Sequence, residues 1–216
     1  MDDNSPDGTG RLAAAMAERD PGIHVLHRAA KDGLGRAYVA GFGWGLARPY
    51  ERLAQMDADL SHDPAYLPAL LAALETCEVA VGSRYVSGGG TRNWGWGRRM
   101  LSRGGSWYAR TILGLPFRDL TGGFRCWRRS VLENLDLPSI RSNGYSFQIE
   151  MLFRAALNGH AIAEVPIVFT DRVDGTSKMS KKIVVEAMGV VWKLRAQAGA
   201  SRHAARSRFP AKARKL

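Results

Sequence analysis

Arg52-Leu53-Ala54-Gln55-Met56-Asp57-Ala58-Asp59-Leu60-Ser61-His62-Asp63 is the stretch whose reading decides the fold of this chain. A largely apolar run ends in two carboxylates that flank one small residue, Ala58. Read as a strand, residues 52–56 deliver Asp57 and Asp59 at a carboxyl end. Hard oxygen ligands paired in this way suit Mg²⁺ or Mn²⁺ held against a diphosphate. The competing role is plainer, since many Asp-x-Asp pairs cap helices or solvate loops. The sequence on both sides has to decide between them.

Working outward, Asp63-Pro64 places a capping residue before a first-turn proline, and predicts a helix to about residue 75. Residues 78–81 read as a strand ending in Gly82-Ser83-Arg84-Tyr85. Residues 98–113 and 145–158 read as helices, and 161–170 as the last strand. Upstream, residues 11–19 are Ala-rich and helical, 23–27 form a short strand, and Gly33-Leu34-Gly35 opens a helix to about residue 47. This alternation predicts an α/β fold. Open α/β sheets bind ligands beyond the carboxyl ends of their strands, where Asp57, Asp59 and Arg84 all fall.

The chain has 216 residues and is 45% hydrophobic, enough for one domain with a sizeable core. No apolar run approaches the ~20 residues of a membrane span, and no signal-peptide pattern opens the sequence. Cys77 and Cys126 make neither a metal spacing nor a disulfide framework, so a reducing cytosol is expected. The formal charge is +11, but residues 178–216 hold eleven Lys/Arg against one acid, Glu186. A near-neutral body disfavours a nucleic-acid groove. The basic end suits either a solvated tail or one lying on an anionic membrane.

Seven ordered motifs carry a resemblance. They are Asp2-Asp3-Asn4-Ser5-Pro6-Asp7-Gly8-Thr9, Gly33-Leu34-Gly35, Met56-Asp57-Ala58-Asp59-Leu60-Ser61-His62, Gly82-Ser83-Arg84-Tyr85, Asp119-Leu120-Thr121-Gly122-Gly123-Phe124-Arg125, Gly144-Tyr145-Ser146-Phe147-Gln148-Ile149-Glu150 and Asp171-Arg172-Val173-Asp174-Gly175-Thr176-Ser177-Lys178. Together they resemble the polyprenol (dolichol) phosphate mannose synthases of glycosyltransferase family 2, and the Arg92-Asn93-Trp94-Gly95-Trp96 segment resembles the actinobacterial type. The resemblance extends to about residue 195. It implies a glycosyltransferase A-type fold, a Rossmann-like, mostly parallel sheet flanked by helices. Family members open with a strand bearing Pro-Thr-Tyr-Asn-Glu, a helix, and a strand ending in Val-Asp-Asp. Met1 stands where that valine is usual, so the first strand and helix are expected to be missing, with a misplaced start as the explanation. Residues 1–178 are then an N-terminally incomplete catalytic domain, 179–198 an amphipathic interfacial helix and 199–216 a basic tail.

The resemblance implies inverting, metal-dependent transfer of mannose from GDP-mannose to a polyprenyl phosphate. The enzyme is then peripheral on the cytoplasmic face of the plasma membrane, with a membrane-anchoring partner domain and no nucleic acid. Asp57, Asp59 and Ser61 would hold Mg²⁺ or Mn²⁺, with Asp59 foremost, and Ala58 would pack close to the donor. Asp2 and Asp3 would contact base and ribose, while Arg172 and Lys178, separated by the Gly175 hinge, would close over the diphosphate. Arg98 and Ser102 lie four apart on one helix face, and with Arg84 they would cradle the acceptor phosphate. Asp59, Arg84 and Arg98 are thus the expected catalytic residues. A phosphate monoester loses its second proton near pH 6, which removes the need for a strong general base. Asp7 with Thr9 reads as a helix cap, Glu150 as structural, and His62 and His160 as loop or helix-end histidines. The rival readings are a UDP-sugar-dependent glucosyl or N-acetylglucosaminyl transferase and an inactive, membrane-associated fragment.

Overall fold

The computed structural model describes residues 1–171 and 188–198. In chain order the elements are α1 (Thr9–Ala17), α2 (Leu34–Leu46), β1 (Arg52–Gln55), α3 (Leu67–Ala73), β2 (Val79–Ser83), β3 (Gly90–Arg92), α4 (Trp96–Leu113), β4 (Arg125–Arg128), α5 (Arg129–Asn134), α6 (Gly144–Leu157), β5 (Ile162–Pro166) and β6 (Val168–Thr170). Residues 188–198 form a further helix, α7. Most expected elements appear within two residues of their predicted bounds. Asp63 caps the 3₁₀ turn before α3, accepting the Ala65 N–H at 2.9 Å, and Asp7 accepts the Thr9 N–H at 3.0 Å at the start of α1.

The main sheet runs β1-β4-β2-β5. β4 is antiparallel to both β1 and β2, and only β2 and β5 pair in parallel. The sheet is therefore mixed, not mostly parallel, because β4 slots between β1 and β2 and runs antiparallel to both. Residues 161–170, expected as one strand, are two. The pairing of β5 with β2 ends at Ser83 opposite Pro166, and proline has no N–H to carry a ladder onward. Ile167 then donates its N–H to the Ser83 carbonyl at 3.0 Å. Beyond it β6 crosses to pair with β3 in a separate two-stranded sheet. The strand expected over 23–27 is reduced to a bridge between His27 and Asp2.

Alternation along the strands splits the core into two layers. Leu53, Val79, Val81 and Trp127 face α2, α4, α5, α6 and α7, meeting Phe42, Leu113, Leu132, Phe147 and Leu194. Ala80, Phe124 and Cys126 face the other way, against Leu70 and Leu74. Each fully buried side chain of Leu or Phe size contributes roughly 1.5–3 kcal/mol. Cys77 and Cys126 are both free and buried in this second layer. The two layers leave the carboxyl end of β1 and the β3–β6 pair to build the site.

Candidate active site

The turn after β1 is closed by its own residues. His62 is buried, and its Nδ1 accepts the Asp57 backbone N–H at 3.1 Å. Nδ1 is therefore an acceptor, which places the proton of the neutral ring on Nε2. Burial holds the His62 pKa below the ordinary histidine value, with the Arg84 charge acting the same way and Asp57 opposing. Asp59 accepts the Ser61 N–H at 3.1 Å, and Leu60 between them takes a left-handed φ of 62°. Asp57 accepts a hydrogen bond from the Tyr38 hydroxyl of α2 at 2.9 Å. Tyr38 in turn stacks on Phe147 of α6 at 5.7 Å. The two carboxylates thus stand half-buried on a turn fixed from three sides.

The facing wall is the loop 119–124. A Cβ at Gly123 would lie 3.4 Å from Asp57 Oδ1 and 3.5 Å from His62 Cε1, which puts this backbone in van der Waals reach of the turn. Two fully buried charges brace the loop. Asp119 accepts the Gly122 N–H at 3.0 Å and holds Arg84 through Nε and Nη2, both at 2.7 Å. Burial alone would raise the Asp119 pKa, but the charge and hydrogen bonds of Arg84 outweigh it and keep the carboxyl below the usual range. Arg125 donates to three carbonyls, those of Leu120 (2.9 Å), Gly122 (3.0 Å) and Gln148 (2.7 Å). Burial lowers its pKa to about 10, which still leaves it charged at neutral pH. Gln55 completes the floor, donating to the Gly123 carbonyl and to Gln148, both at 2.9 Å, and accepting from Trp127 at 3.1 Å.

The phosphate cradle expected of Arg84, Arg98 and Ser102 is not an open one. Arg84 is 6% exposed, and its Nη2 also donates to Thr121 at 2.8 Å. It shapes the loop 119–124 and does not face solvent. Arg98 places Nη1 2.6 Å from each oxygen of Asp171 and lies 4.3 Å from the Trp94 ring centroid. Ser102 accepts the Tyr85 hydroxyl at 2.6 Å. Phe169 of β6 joins the two sides: it meets His62 at 5.1 Å and Trp94 at 5.4 Å, with the Arg84 guanidinium 5.6 Å from its ring. Backbone bonds fasten the same strand, Thr170 N–H to Ser61 O at 3.2 Å and Asp171 N–H to Arg92 O at 3.1 Å. The Asp57–His62 turn and the Arg98 side therefore meet across one aromatic residue.

Elsewhere, Asp2 sits 3.4 Å from His27, and Asp3 pairs with Arg28 at 3.0 Å. Gly33 opens α2 with a φ of 84°. Glu150 is buried and pairs with Ser142 and Arg154, the structural role expected of it. Arg172, Lys178 and the tail 199–216 lie outside the described residues, as does 179–187 of the expected interfacial helix. Tyr38, Gln55 and Arg125 were not singled out as supports of the site; their partners are distant in sequence, and only the buried polar character of Gln55 in a strand hinted at it.

The oxygen donors of the turn suit a hard divalent cation. Two carboxylates are joined by Ser61 Oγ, which is buried without a protein partner. Among the described residues there is no cluster of three or more His, Cys, Asp or Glu. A site of this kind takes its remaining ligands from substrate phosphate and water.

The family model for glycosyl transferase family 2 matches residues 1–136. An undecaprenyl-phosphate mannosyltransferase of Micrococcus luteus is 53% identical over 188 residues, covering 87% of this chain and 77% of the relative. A polyprenol monophosphomannose synthase of Mycolicibacterium smegmatis is 52% identical over 190 residues, covering 87% and 72%. Among solved structures, glucosyl-3-phosphoglycerate synthase from Mycobacterium tuberculosis, in complex with Mn²⁺, uridine diphosphate and glucosyl-3-phosphoglycerate, superposes with a TM-score of 0.62. It is 19% identical and the match covers 91% of this chain and 67% of that one, a likeness of fold. With a carboxylate turn after β1, a mixed sheet of this type and relatives at this identity, the chain belongs to glycosyltransferase family 2 and is a glycosyltransferase of the polyprenyl-phosphate mannosyltransferase group.

Proposed function

We propose that this enzyme transfers mannose from GDP-mannose to the phosphate of a polyprenyl phosphate, with inversion at the anomeric carbon. The observation that carries the reading is the meeting of the Asp57–Asp59 turn and the Arg98 side across Phe169. One side suits a diphosphate with its cation, the other an incoming phosphate. The names of the two relatives support the acceptor and the sugar. Mn²⁺ and a nucleoside diphosphate in the mycobacterial fold neighbour fit the cation reading, with Mg²⁺ or Mn²⁺ on Asp57, Asp59 and Ser61.

When bound, the cation neutralises charge on the leaving diphosphate as a Lewis acid. Asp57, steadied by Tyr38 and the His62 ring, orients the donor beside Ala58 and the Gly122–Gly123 backbone. Asp2 and Asp3 take the base and ribose, and Arg172 and Lys178 the diphosphate. The acceptor arrives as an anion, so the chain has to orient it more than deprotonate it. Arg98 and Ser102 do so, the phosphate exchanging with the Asp171 carboxylate on Arg98. Arg84 contributes indirectly, by holding Asp119 and its loop. No helix among the described residues is long and apolar enough to cross a membrane. A peripheral position on the cytoplasmic face, with or without a membrane-anchoring partner domain, suits a lipid acceptor.

The test is a donor panel of GDP-mannose, UDP-glucose and UDP-N-acetylglucosamine with polyprenyl phosphate, run with Mg²⁺, Mn²⁺ and a chelator. The expected result is cation-dependent transfer from GDP-mannose alone, reduced about a hundredfold or more in Asp59→Ala. Preference for a UDP-sugar would replace the donor assignment, and undiminished transfer by Asp59→Ala would refute the cation site.

A further inference from the structure

The Arg92-Asn93-Trp94-Gly95-Trp96 segment joins β3 to α4, and its two tryptophans have opposite fates. Trp94 is 8% exposed and Trp96 76%. Asn93 turns the chain just before them with a left-handed φ of 61°, a conformation that asparagine tolerates better than most residues. Gly95 then stands at the N-cap of α4. The segment thus puts one indole inside, four residues ahead of Arg98.

That indole is held by its ring. A buried tryptophan N–H usually finds a partner, yet Trp94 Nε1 is buried with none among the described residues. Its neighbours are instead two cations and an aromatic. The Arg98 guanidinium carbon lies 4.3 Å from the ring centroid and that of Arg84 5.5 Å. Phe169 meets the ring in a T-shaped contact at 5.4 Å. Arg84 is already fixed by Asp119 and lies near two further rings, Tyr85 at 5.1 Å and Phe169 at 5.6 Å. Among the described residues, Trp94 is the one ring against the Arg98 guanidinium.

We propose that Trp94 is a positioning residue for the acceptor: its ring keeps the Arg98 guanidinium aimed while the acceptor phosphate replaces Asp171. This deepens, and rests on, the acceptor assignment made above. Asp171 holds Arg98 through two contacts of 2.6 Å, and both side chains are partly exposed. An arginine released from its carboxylate regains the rotamer freedom of a long side chain. An aromatic face under the cation removes much of that freedom and leaves the planar N–H fork available to an anion. The ring is neutral, so it does not compete with phosphate for the charge. The grip therefore outlasts the exchange of partners.

The test is a double-mutant cycle in the whole chain, with a short, water-soluble prenyl phosphate as acceptor and saturating donor. Trp94→Leu should raise the acceptor KM about tenfold and leave the donor KM unchanged. Trp94→Phe, which keeps a ring with a weaker face, should raise it only about threefold. In an Arg98→Ala background either substitution should add less than about twofold, because the group that the ring positions is gone. Circular dichroism checks that each variant is folded. If Trp94→Leu does not fold, the Trp94→Phe arm carries the same cycle. An unchanged acceptor KM in the Trp94 variants overturns the proposal. So does a loss that repeats in full without Arg98, which would make the indole a packing element only. Preference for a UDP-sugar would replace the donor assignment, and the cycle run with that sugar would still decide the role of Trp94. Failure of the parent chain to bind any prenyl phosphate in a donor-free titration would overturn the acceptor assignment and this inference together.

Discussion

Removing the Asp119 carboxylate would strand the Arg84 guanidinium in the interior, and that asymmetry sets the expected cost. A buried ion pair has little net value compared with apolar packing, but breaking one costs about 3–5 kcal/mol. Asp119→Ala should therefore lower stability by that order in urea unfolding, while an apolar replacement of both partners should cost much less than two separate losses. The same pair gives a pH dependence. The folded Asp119 carboxyl titrates below its ordinary value of 3.8, so its contribution is complete above that pH. It is lost as pH falls through the lower folded value. The unfolding midpoint should hold through mild acid and drop below about pH 4, and the drop should be shallower in the apolar double variant. A midpoint independent of Asp119 would mean the pair does not brace the loop.

At the scale of elements, α4 and β6 are tied together by Arg98 and Asp171, 73 residues apart. Both side chains are partly exposed, so the pair is worth under about 1 kcal/mol. Asp171→Asn should leave stability nearly unchanged and lower the KM for polyprenyl phosphate several-fold by freeing Arg98. A raised KM would show that Asp171 orients Arg98 and does not compete for it. The sequence made the shared face of Arg98 and Ser102 legible, because a spacing of four is local information. Their partners Asp171 and Tyr85 were not legible, because only the fold brings them together. β4 escaped for a related reason. Arg125-Cys126-Trp127-Arg128 lacks the apolar alternation of a strand, yet Arg125 is fully buried because three carbonyls satisfy it. Asp57 and Asp59 were legible because they end an apolar run. Tyr38 gave no such signal. The break at Pro166 was visible in principle, since proline inside a predicted strand argues for an edge or an end.

Across the whole molecule, the two-layer core has a use in the laboratory that its chemistry does not advertise. Cys126 lies in β4, flanked by β1 and β2, and burial pushes its thiol up to about 12. Cys77 lies between α3 and β2, and burial raises its thiol as well. Neither is a thiolate at neutral pH, and both are walled off, so the native protein should be nearly silent toward thiol reagents. Labelling must wait for opening, and the two sites open at different depths. Cys77 should modify first, as α3 lifts away, and Cys126 only when the middle of the sheet comes apart. Mass spectrometry of timed labelling would read that order, and simultaneous modification would mean the two layers open as one unit. The chain thus carries a built-in pair of clocks, one at the seam and one at the centre, that time its unfolding without any added probe.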